Sequence, residues 1–409
     1  MSLPHCDYFE AGRCRSCALI ETPYANQLRD KQERCRELLT RVPADAWLPA
    51  IESSDRDFRN KAKLVVGGTP GHVSLGILGP DGAGVDLREC LIQSPGIRAA
   101  IPHLATFLES TGLPPYDVPK RSGELKLVHV TEAPGGELML RFIVRTQQSL
   151  DRLRKFLPEL REALPHAVVV SVNLLPEHKA VLEGEREELL LGSSLEMHLS
   201  RMGVDAATDT GSGQVSTDVS LHLLPQSFFQ TNTAVAQALY GQAAEWVERV
   251  DPASLWDLYC GVGGFALHCA NTQRGGTRDV LGVEISAAAV ASAERSAREA
   301  GIPARFHAAD ATGFALAADE ATIPDLVIVN PPRRGIGDEL AEWLERGTVQ
   351  DVIYSSCNPE SLHRDLAAMP SFAVREARVF DMFPHTQHLE VAVLLERQGA
   401  EAVDVRAAR

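Results

Sequence analysis

The sequence of 409 residues has no run of about 20 uninterrupted apolar residues, which is the length that a membrane-spanning helix requires. Residues 1–13 contain no apolar segment of the kind found in secretory signal peptides, so we expect a cytoplasmic protein. Basic residues are outnumbered, with 40 Lys and Arg against 55 Asp and Glu and a formal net charge of −15. This charge argues against a protein that coats nucleic acid, because phosphate neutralisation needs cations. It does not exclude an enzyme that binds RNA through a local group of basic residues.

Cysteines are few, eight in all, and in a reducing compartment we do not expect them to form disulfides. Metal binding or catalysis is therefore the first interpretation of any that cluster. Three of them follow the spacing C-x7-C-x2-C near the start, and a fourth lies further along the chain. Four thiolates can hold a [4Fe–4S] cluster or a tetrahedral Zn²⁺, and the spacing alone does not decide between them. The four candidate ligands are Cys6, Cys14, Cys17 and Cys90.

The strand and helix patterns predict two folded parts. Strand-like and helical segments alternate regularly over residues 254–395, which indicates an α/β domain with a mostly parallel, doubly wound sheet. Its last two strands have no helix between them and are expected to pair antiparallel at or near one edge. Residues 50–198 mix both patterns and predict an α+β module. The small polar residues of 203–218 predict a surface loop.

A glycine-rich turn closes the first strand of the α/β domain, in the segment Asp257–Phe265. Glu284 ends the next strand, where a carboxylate can accept hydrogen bonds from ribose hydroxyls. A dinucleotide site would need the order G-x-G-x-x-G, whereas this turn reads G-x-G-G followed by Phe. The pattern favours S-adenosylmethionine over NAD. Asp310, after the third strand, lies where a residue that contacts adenine would project, although a strand-end Asp is as often a helix cap.

Polar motifs follow three further strands at the same carboxyl edge of the predicted sheet, and they suit methylation of uracil at carbon 5. That carbon is a poor nucleophile until a thiolate adds to carbon 6, and a base must afterwards remove the carbon 5 proton. Cys357 supplies the thiol and Glu390 the base. The amide of Asn330 can accept from N3–H and donate to O4 of the uracil. Arg333 or Arg334 would stabilise the enolate or hold phosphate.

These motifs together resemble the bacterial RNA uracil-C5 methyltransferase family over nearly the whole chain, about residues 5–397. The resemblance implies a Rossmann-like S-adenosylmethionine-dependent methyltransferase domain. The segments that carry it are Asp257–Phe265, Asn330–Gly335, Ser355–Pro359, Phe380–Glu390 and Pro225–Asn232.

The resemblance also implies roles for single residues. Gln230, Tyr259 and Glu284 would contact S-adenosylmethionine. Gly261, Asp310 and Asn330, which follow strands at the same edge, are the other candidate cofactor residues. Cys357 would be the nucleophile and Glu390 the proton acceptor. Asn330 stands where other branches of the family carry Asp, and both residue types can hold the uracil edge.

The four candidate ligands Cys6, Cys14, Cys17 and Cys90, which we call the front cysteines, indicate which branch of this family the chain resembles. The resemblance implies the iron–sulfur cluster, as in the branches that act on 23S rRNA. Cys6 lies within the first ten residues, so we expect no small N-terminal β-barrel before it. This points to the shorter branch, which modifies uracil 747 of 23S rRNA. The same chemistry on another rRNA or tRNA uridine is the first alternative. Two others are an amino-group methyltransferase, because Asn330-Pro-Pro is similar to its motif, and a non-catalytic iron–sulfur RNA-binding factor.

Arg59, Lys61 and Lys63 surround an aromatic residue and predict contacts to RNA phosphate. We expect a monomer that binds 23S rRNA and no membrane. The predicted domains are a cysteine-rich iron–sulfur region with a helix (1–49), an α+β RNA-binding domain (50–224), the methyltransferase domain (225–397) and a flexible tail (398–409).

Overall fold

The computed structural model describes residues 3–79, 84–178, 181, 183–200, 218–271 and 276–399. They fall into two compact units. Unit 1 contains the described residues of Met1–Pro23, Ser54–Leu199 and His222–Ala234, and unit 2 those of Tyr24–Ser53, Ser200–Leu221 and Val235–Arg409. The predicted loop at 203–218 and tail at 398–409 lie almost entirely outside the described residues. The predicted domain boundaries stay a prediction.

The secondary-structure elements are as follows. The helices are α1 (Asp7–Glu10), α2 (Tyr24–Leu38), α3 (Pro95–Thr111), α4 (Gln147–Lys155), α5 (Leu157–Ala163), α6 (Thr233–Val250), α7 (Gly264–Cys269), α8 (Ala287–Glu299), α9 (Ala311–Leu316), α10 (Gly337–Arg346) and α11 (Pro359–Ala367). The strands are β1 (Lys61–Thr69), β2 (His72–Leu78), β3 (Gly84–Asp86), β4 (Leu125–Glu132), β5 (Leu138–Val144), β6 (Ala167–Leu174), β7 (Arg186–Leu191), β8 (Leu195–Leu199), β9 (Val219–Leu223), β10 (Ser254–Leu258), β11 (Asp279–Glu284), β12 (Ala304–Ala308), β13 (Leu326–Val329), β14 (Asp351–Ser356), β15 (Phe372–Phe380) and β16 (Glu390–Arg397). Within these described ranges, no helix has the length and apolarity to cross a membrane.

Unit 2 contains a sheet with the strand order β12-β11-β10-β13-β14-β16-β15. The first five of these strands run parallel, and β16 pairs antiparallel with both β14 and β15. The predicted α/β sheet with an antiparallel pair at one edge is therefore confirmed. Strand β13 is a run of four buried aliphatic residues, as expected for a strand covered on both faces. Because β16 runs in the opposite direction, its first residue, Glu390, lies at the edge where the parallel strands end.

The segment that contains α2 also belongs to unit 2. Helix α2 is the helix that was predicted within the cysteine-rich region 1–49, but it packs on α11 and β15. The Arg41 guanidinium donates to the carbonyls of Leu366 and Met369, at the end of α11. The backbone N–H of Ile51 donates to the carbonyl of Val379 at 2.8 Å. This segment therefore lies along β15 and covers part of an edge that would otherwise be unpaired.

Unit 1 is built on a sheet with the order β3-β2-β1-β4-β5-β6-β7, in which β5 and β6 are the parallel neighbours. One apolar face of this sheet packs on α3, α4 and α5. The helical part of unit 1 that follows β5 is divided into two helices. The chain forms α4 and α5 with a break at Phe156, because Pro158 in the first turn of α5 lacks an N–H and cannot continue a preceding helix.

Candidate active site

The glycine-rich turn connects β10 to α7 at the carboxyl edge of the unit 2 sheet. Gly261 has a φ of +54°, in the left-handed region where glycine is favoured, and open space surrounds the position that a Cβ would take. Gly264 is required for another reason, since a Cβ there would lie 2.5 Å from the Tyr240 ring. The backbone can therefore approach a ligand closely at Gly261 while the start of α7 packs tightly at Gly264.

Two carboxylates brace this turn. The Gly261 N–H donates to Glu284 Oε2 at 3.2 Å, and the Ser286 N–H donates to Glu284 Oε1 at 2.9 Å. Asp257 is fully buried and accepts from the Ala266 N–H at 2.9 Å, and its burial raises its pKa to about 8. The side chain of Glu284 is thus held at the end of β11, where the ribose-binding carboxylate was predicted.

Three other predicted cofactor residues have different surroundings. Tyr259 takes a left-handed φ of +67°, and its hydroxyl lies 3.5 Å from Thr312 Oγ1. Asp310 caps α9 by accepting from the Gly313 N–H at 2.8 Å, and both residues line an open cleft at the sheet edge. Gln230 is buried in unit 1, where its carbonyl accepts from Asn60 Nδ2 at 3.1 Å. Cofactor contact by these residues stays a prediction.

Cys357 follows β14 in a tight turn that leads into α11. The Ser356 hydroxyl donates to the Asn358 carbonyl at 3.0 Å and accepts from the Asn358 N–H at 3.1 Å. Asn358 then caps α11, and its side-chain amide donates to the carbonyl of Arg333 at 3.0 Å. The turn therefore leaves the Cys357 side chain half-buried and ties its loop to the loop after β13.

Arg333 connects the thiol to His388. Its guanidinium donates to His388 Nδ1 at 3.0 Å and lies beside the Cys357 thiol, whose pKa it lowers. Arginine can only donate, so the His388 nitrogen that accepts from it, Nδ1 at 3.0 Å or Nε2 at 3.4 Å, carries no proton. Burial raises the pKa of the Cys357 thiol and the charge of Glu390 raises it further, whereas the Arg333 cation lowers it. Arg333 is thus the group here that favours the reactive thiolate.

Glu390 lies at the start of β16 and is 1% exposed. The Ser355 hydroxyl donates to Glu390 Oε1 at 2.5 Å. Burial raises the pKa of Glu390 to about 7, while the hydrogen bond from Ser355 opposes this shift. A carboxyl with such a pKa can take up a proton near neutral pH and release it again. The part played by Ser355 was not predicted.

The loop after β13 holds the remaining predicted residues. Asn330 is half-buried directly after the strand, and Arg334 is exposed. Asp365 of α11, which was not predicted, fixes this loop because its Oδ2 accepts from the Ile336 N–H at 2.9 Å and the Tyr354 hydroxyl at 2.6 Å. Cys357, Glu390 and Arg333 are thus brought together, with Asn330 at the end of the strand beside β14.

The four front cysteines come together in unit 1, and all are half-buried. Burial and the charges of the other three thiols together raise the pKa of Cys17 to about 12. The Tyr8 hydroxyl accepts from the Glu89 N–H at 3.0 Å, which holds the N-terminal segment beside Cys90. Among the described residues, however, no three His, Cys, Asp or Glu side chains are arranged to hold a metal ion directly. The predicted cluster is therefore not shown.

The predicted RNA-contacting cations differ in exposure. Lys63 is exposed, whereas Lys61 is half-buried and its ammonium donates to the Ser227 carbonyl at 3.3 Å. Burial lowers the pKa of Lys61 to about 8. Arg59 donates to the Lys61 carbonyl at 3.0 Å and lies close enough to Cys17 and Cys90 to interact with their charges. Contact of these three residues with RNA stays a prediction. Because Lys63 is exposed, it is the one that is best placed to reach a phosphate.

Two family models match the chain. The model described as tRNA (Uracil-5-)-methyltransferase matches residues 318–398, which contain Asn330, Cys357 and Glu390. A model described as a methyltransferase domain matches residues 256–347, which contain the glycine-rich turn. The two matches overlap and together cover residues 256–398 of unit 2.

Two relatives are similar over nearly their whole length, and both are 23S rRNA (uracil(747)-C(5))-methyltransferases. The protein from Halothiobacillus neapolitanus is 47% identical over 96% of this chain and 99% of its own. The protein from Edwardsiella ictaluri is 43% identical over 97% of this chain and 100% of its own. Among solved structures, the Pyrococcus abyssi tRNA (uracil-54, C5)-methyltransferase in complex with S-adenosyl-L-homocysteine is 25% identical. It covers 93% of this chain and 84% of its own with a TM-score of 0.73.

Proposed function

The chain belongs to the family of 23S rRNA (uracil-C5)-methyltransferases, and we propose that it methylates uracil 747 of 23S rRNA through a covalent adduct at Cys357. The observation that carries this mechanism is the arrangement at one sheet edge, where the Cys357 thiol lies within reach of the charges of Arg333 and Glu390. S-adenosylmethionine supplies an electrophilic methyl group at the neighbouring glycine-rich turn. The target base must leave its stack to reach such a pocket.

The Cys357 thiolate starts the reaction by forming a bond to carbon 6 of the uracil. The electron pair of the C5–C6 double bond moves onto carbon 5 and O4, and this enolate attacks the methyl group from its carbon 5. The breaking bond joins that methyl group to the cofactor sulfur, which leaves as a neutral thioether. Arg333 favours the attacking thiolate, and the Asn330 amide suits the N3–H and O4 edge of the base.

Glu390 completes the reaction by taking the proton from carbon 5. The electron pair of that C–H bond restores the C5–C6 double bond and expels the Cys357 thiolate, and release of the proton from Glu390 to solvent returns the enzyme to its starting state. The raised pKa of Glu390 suits this step, because a base with a pKa near 7 is largely ionised at pH 8 and still binds a proton well.

The substrate assignment is tested with purified protein and 23S rRNA from a strain that lacks this modification. We expect transfer of one labelled methyl group per rRNA, found as 5-methyluridine at position 747 by nuclease mapping and mass spectrometry. Unmodified tRNA serves as the control and should accept less than about 1% as much label. Methylation of tRNA but not of 23S rRNA would overturn the substrate, and a methylated amino group would overturn the reaction.

A [4Fe–4S] cluster on the four front cysteines is the second part of the proposal. The donor set fits it, since four half-buried thiols converge from Cys6, Cys14, Cys17 and Cys90 with Arg59 beside two of them. A single Zn²⁺ would hold its four sulfurs within about 4 Å of one another, because each Zn–S bond is about 2.3 Å. A cluster, in which each thiolate binds a different iron, accepts wider spacing. When bound, it would fix the N-terminal segment to the Cys90 turn.

The cluster is tested by metal analysis of the full chain purified without oxygen. We expect about four iron and four sulfide ions per chain and a brown colour that oxygen bleaches. Cys17→Ser should lose most of the iron, whereas Cys269→Ala, which removes a buried thiol of unit 2, should keep it. A colourless preparation with one zinc per chain would overturn the assignment.

A further inference from the structure

Helix α2 contacts the turn that joins β15 to β16, residues 381–389, which we call the 381–389 turn. Gln27 Oε1 accepts from the backbone N–H of His385 at 2.8 Å, and Gln27 Nε2 lies 3.3 Å from His385 Nδ1. The two residues are 358 positions apart in the chain, and both are buried. One side chain of α2 therefore holds both the backbone and the ring of His385.

His385 needs such support because of its backbone conformation. Its φ of +64° lies in the left-handed region, which is unfavourable for a residue that carries a Cβ. Such a conformation persists when neighbouring contacts determine it. The two contacts with Gln27 are contacts of this kind, so the shape of the turn depends on α2.

Lys31, one helical turn further along α2, holds the first part of the same turn. Its ammonium donates to Asp381 Oδ1 at 2.7 Å and to the carbonyl of Phe383 at 3.0 Å. The Lys31 and Asp381 side chains are 4% and 0% exposed, so their attraction is poorly screened by water. Gln27 and Lys31 together fix the chain at three residues of the turn.

The turn transmits this position to the nucleophile through a short series of contacts. The Phe383 ring meets the His388 ring edge to face, with centroids 6.2 Å apart. The Thr386 hydroxyl donates to the Phe383 carbonyl at 2.9 Å and accepts from the His388 N–H at 3.2 Å. His388 then accepts from Arg333, whose guanidinium lies beside the Cys357 thiol and favours its ionised form.

We propose that Gln27 and Lys31 are positioning residues for the reaction, which fix the 381–389 turn so that His388 holds the Arg333 guanidinium against the Cys357 thiol. This inference rests on the proposed function, because it concerns the activation of the same cysteine. Burial lowers the pKa of His388, and the charges of Arg333, Lys31 and Arg34 lower it further. His388 therefore stays neutral and keeps its acceptor for Arg333.

The test measures Cys357 directly in Gln27→Ala. The groups that face the thiol from other elements are Arg333, which stabilises the thiolate, and Glu390, which destabilises it. The Arg34–Glu360 pair joins α2 to α11 nearby. Alkylation of Cys357 by iodoacetamide is measured across a range of pH by peptide mass spectrometry. When Arg333 is no longer held in place, the pH at which half of Cys357 is alkylated should rise by about 0.5 to 1 unit. Adduct formation with RNA that carries 5-fluorouridine should slow about 10- to 100-fold.

The matched control is Gln32→Ala, the same substitution at a half-buried position of the same helix, for which we expect wild-type alkylation and adduct rates. If Gln27→Ala does not fold, Gln27→Asn shortens the side chain by one methylene and is measured instead. A lower melting temperature with an unchanged alkylation profile would mean that Gln27 only stabilises the fold, and would overturn the inference. Wild-type protein that forms no adduct would instead contradict the proposed function, while the alkylation profile still decides this inference.

Discussion

Replacing Cys357 by alanine is expected to reduce methylation of 23S rRNA by about 10⁴-fold or more, because no other group in the proposed mechanism can add to carbon 6. The same variant should form no covalent adduct with 5-fluorouridine RNA. In that RNA fluorine replaces the hydrogen on carbon 5. The wild-type enzyme transfers the methyl group but finds no proton to remove from carbon 5, so the adduct accumulates. The adduct is measured on denaturing gels, and methyl transfer with a labelled cofactor.

Binding of S-adenosylmethionine should remain within about twofold of wild type in Cys357→Ala, since the glycine-rich turn lies on a different strand end. Cys269→Ala is the control for losing a thiol, because Cys269 is buried at the end of α7. It should keep wild-type methylation and adduct formation. Undiminished adduct in Cys357→Ala would show that another residue is the nucleophile.

The residues that could be predicted from the sequence are those that directly follow a strand. Cys357 and Asn330 lie after β14 and β13, and the direction of β16 adds Glu390 to the same edge. Parallel strands bring their carboxyl ends together whatever the loops do, so the pattern of strands was sufficient to predict this meeting.

The supporting residues could not be predicted in the same way. Gln27 and Lys31 lie in an ordinary charged helix, and their role depends on contacts with a turn about 350 residues away. Asp365 likewise looks like one more polar residue of α11, although its carboxylate is buried against Tyr354. The spacing of residues along the sequence does not predict such contacts, because they form only when elements that are distant in the sequence pack together. The meeting of Cys90 with the front cysteines was predicted from composition and resemblance, and its chemistry remains to be tested.

Replacing Glu390 by glutamine is expected to stop the reaction after methyl transfer. Without the base, the carbon 5 proton stays in place and Cys357 cannot leave, so methylated RNA should remain attached to the protein even when the RNA contains ordinary uridine. Turnover should fall about 10²- to 10⁴-fold, the usual range for the loss of a general base. The first turnover should still transfer up to one methyl group per enzyme, which a rapid-quench measurement with labelled cofactor detects.

The same variant should be more stable than wild type at alkaline pH. Burial raises the pKa of Glu390 from 4.5 to about 7 in the folded protein, so folding favours the neutral form. Such a group contributes stability below the unfolded pKa, and this contribution is lost as the pH rises from about 4.5 to 7. Above pH 7 the wild type therefore holds a buried carboxylate at a cost of roughly 3 kcal/mol, which Glu390→Gln removes while keeping an acceptor for Ser355. The free energy of unfolding, measured in urea at several pH values, should show this difference.

The control, Glu299→Gln, changes an exposed carboxylate at the end of α8 and should match wild type in turnover and in stability at each pH. If Glu390→Gln instead released its RNA after each methyl transfer, another group would have to remove the carbon 5 proton. If the free energy of unfolding of Glu390→Gln changed with pH as that of wild type does, burial of the ionised Glu390 would not destabilise the wild-type protein.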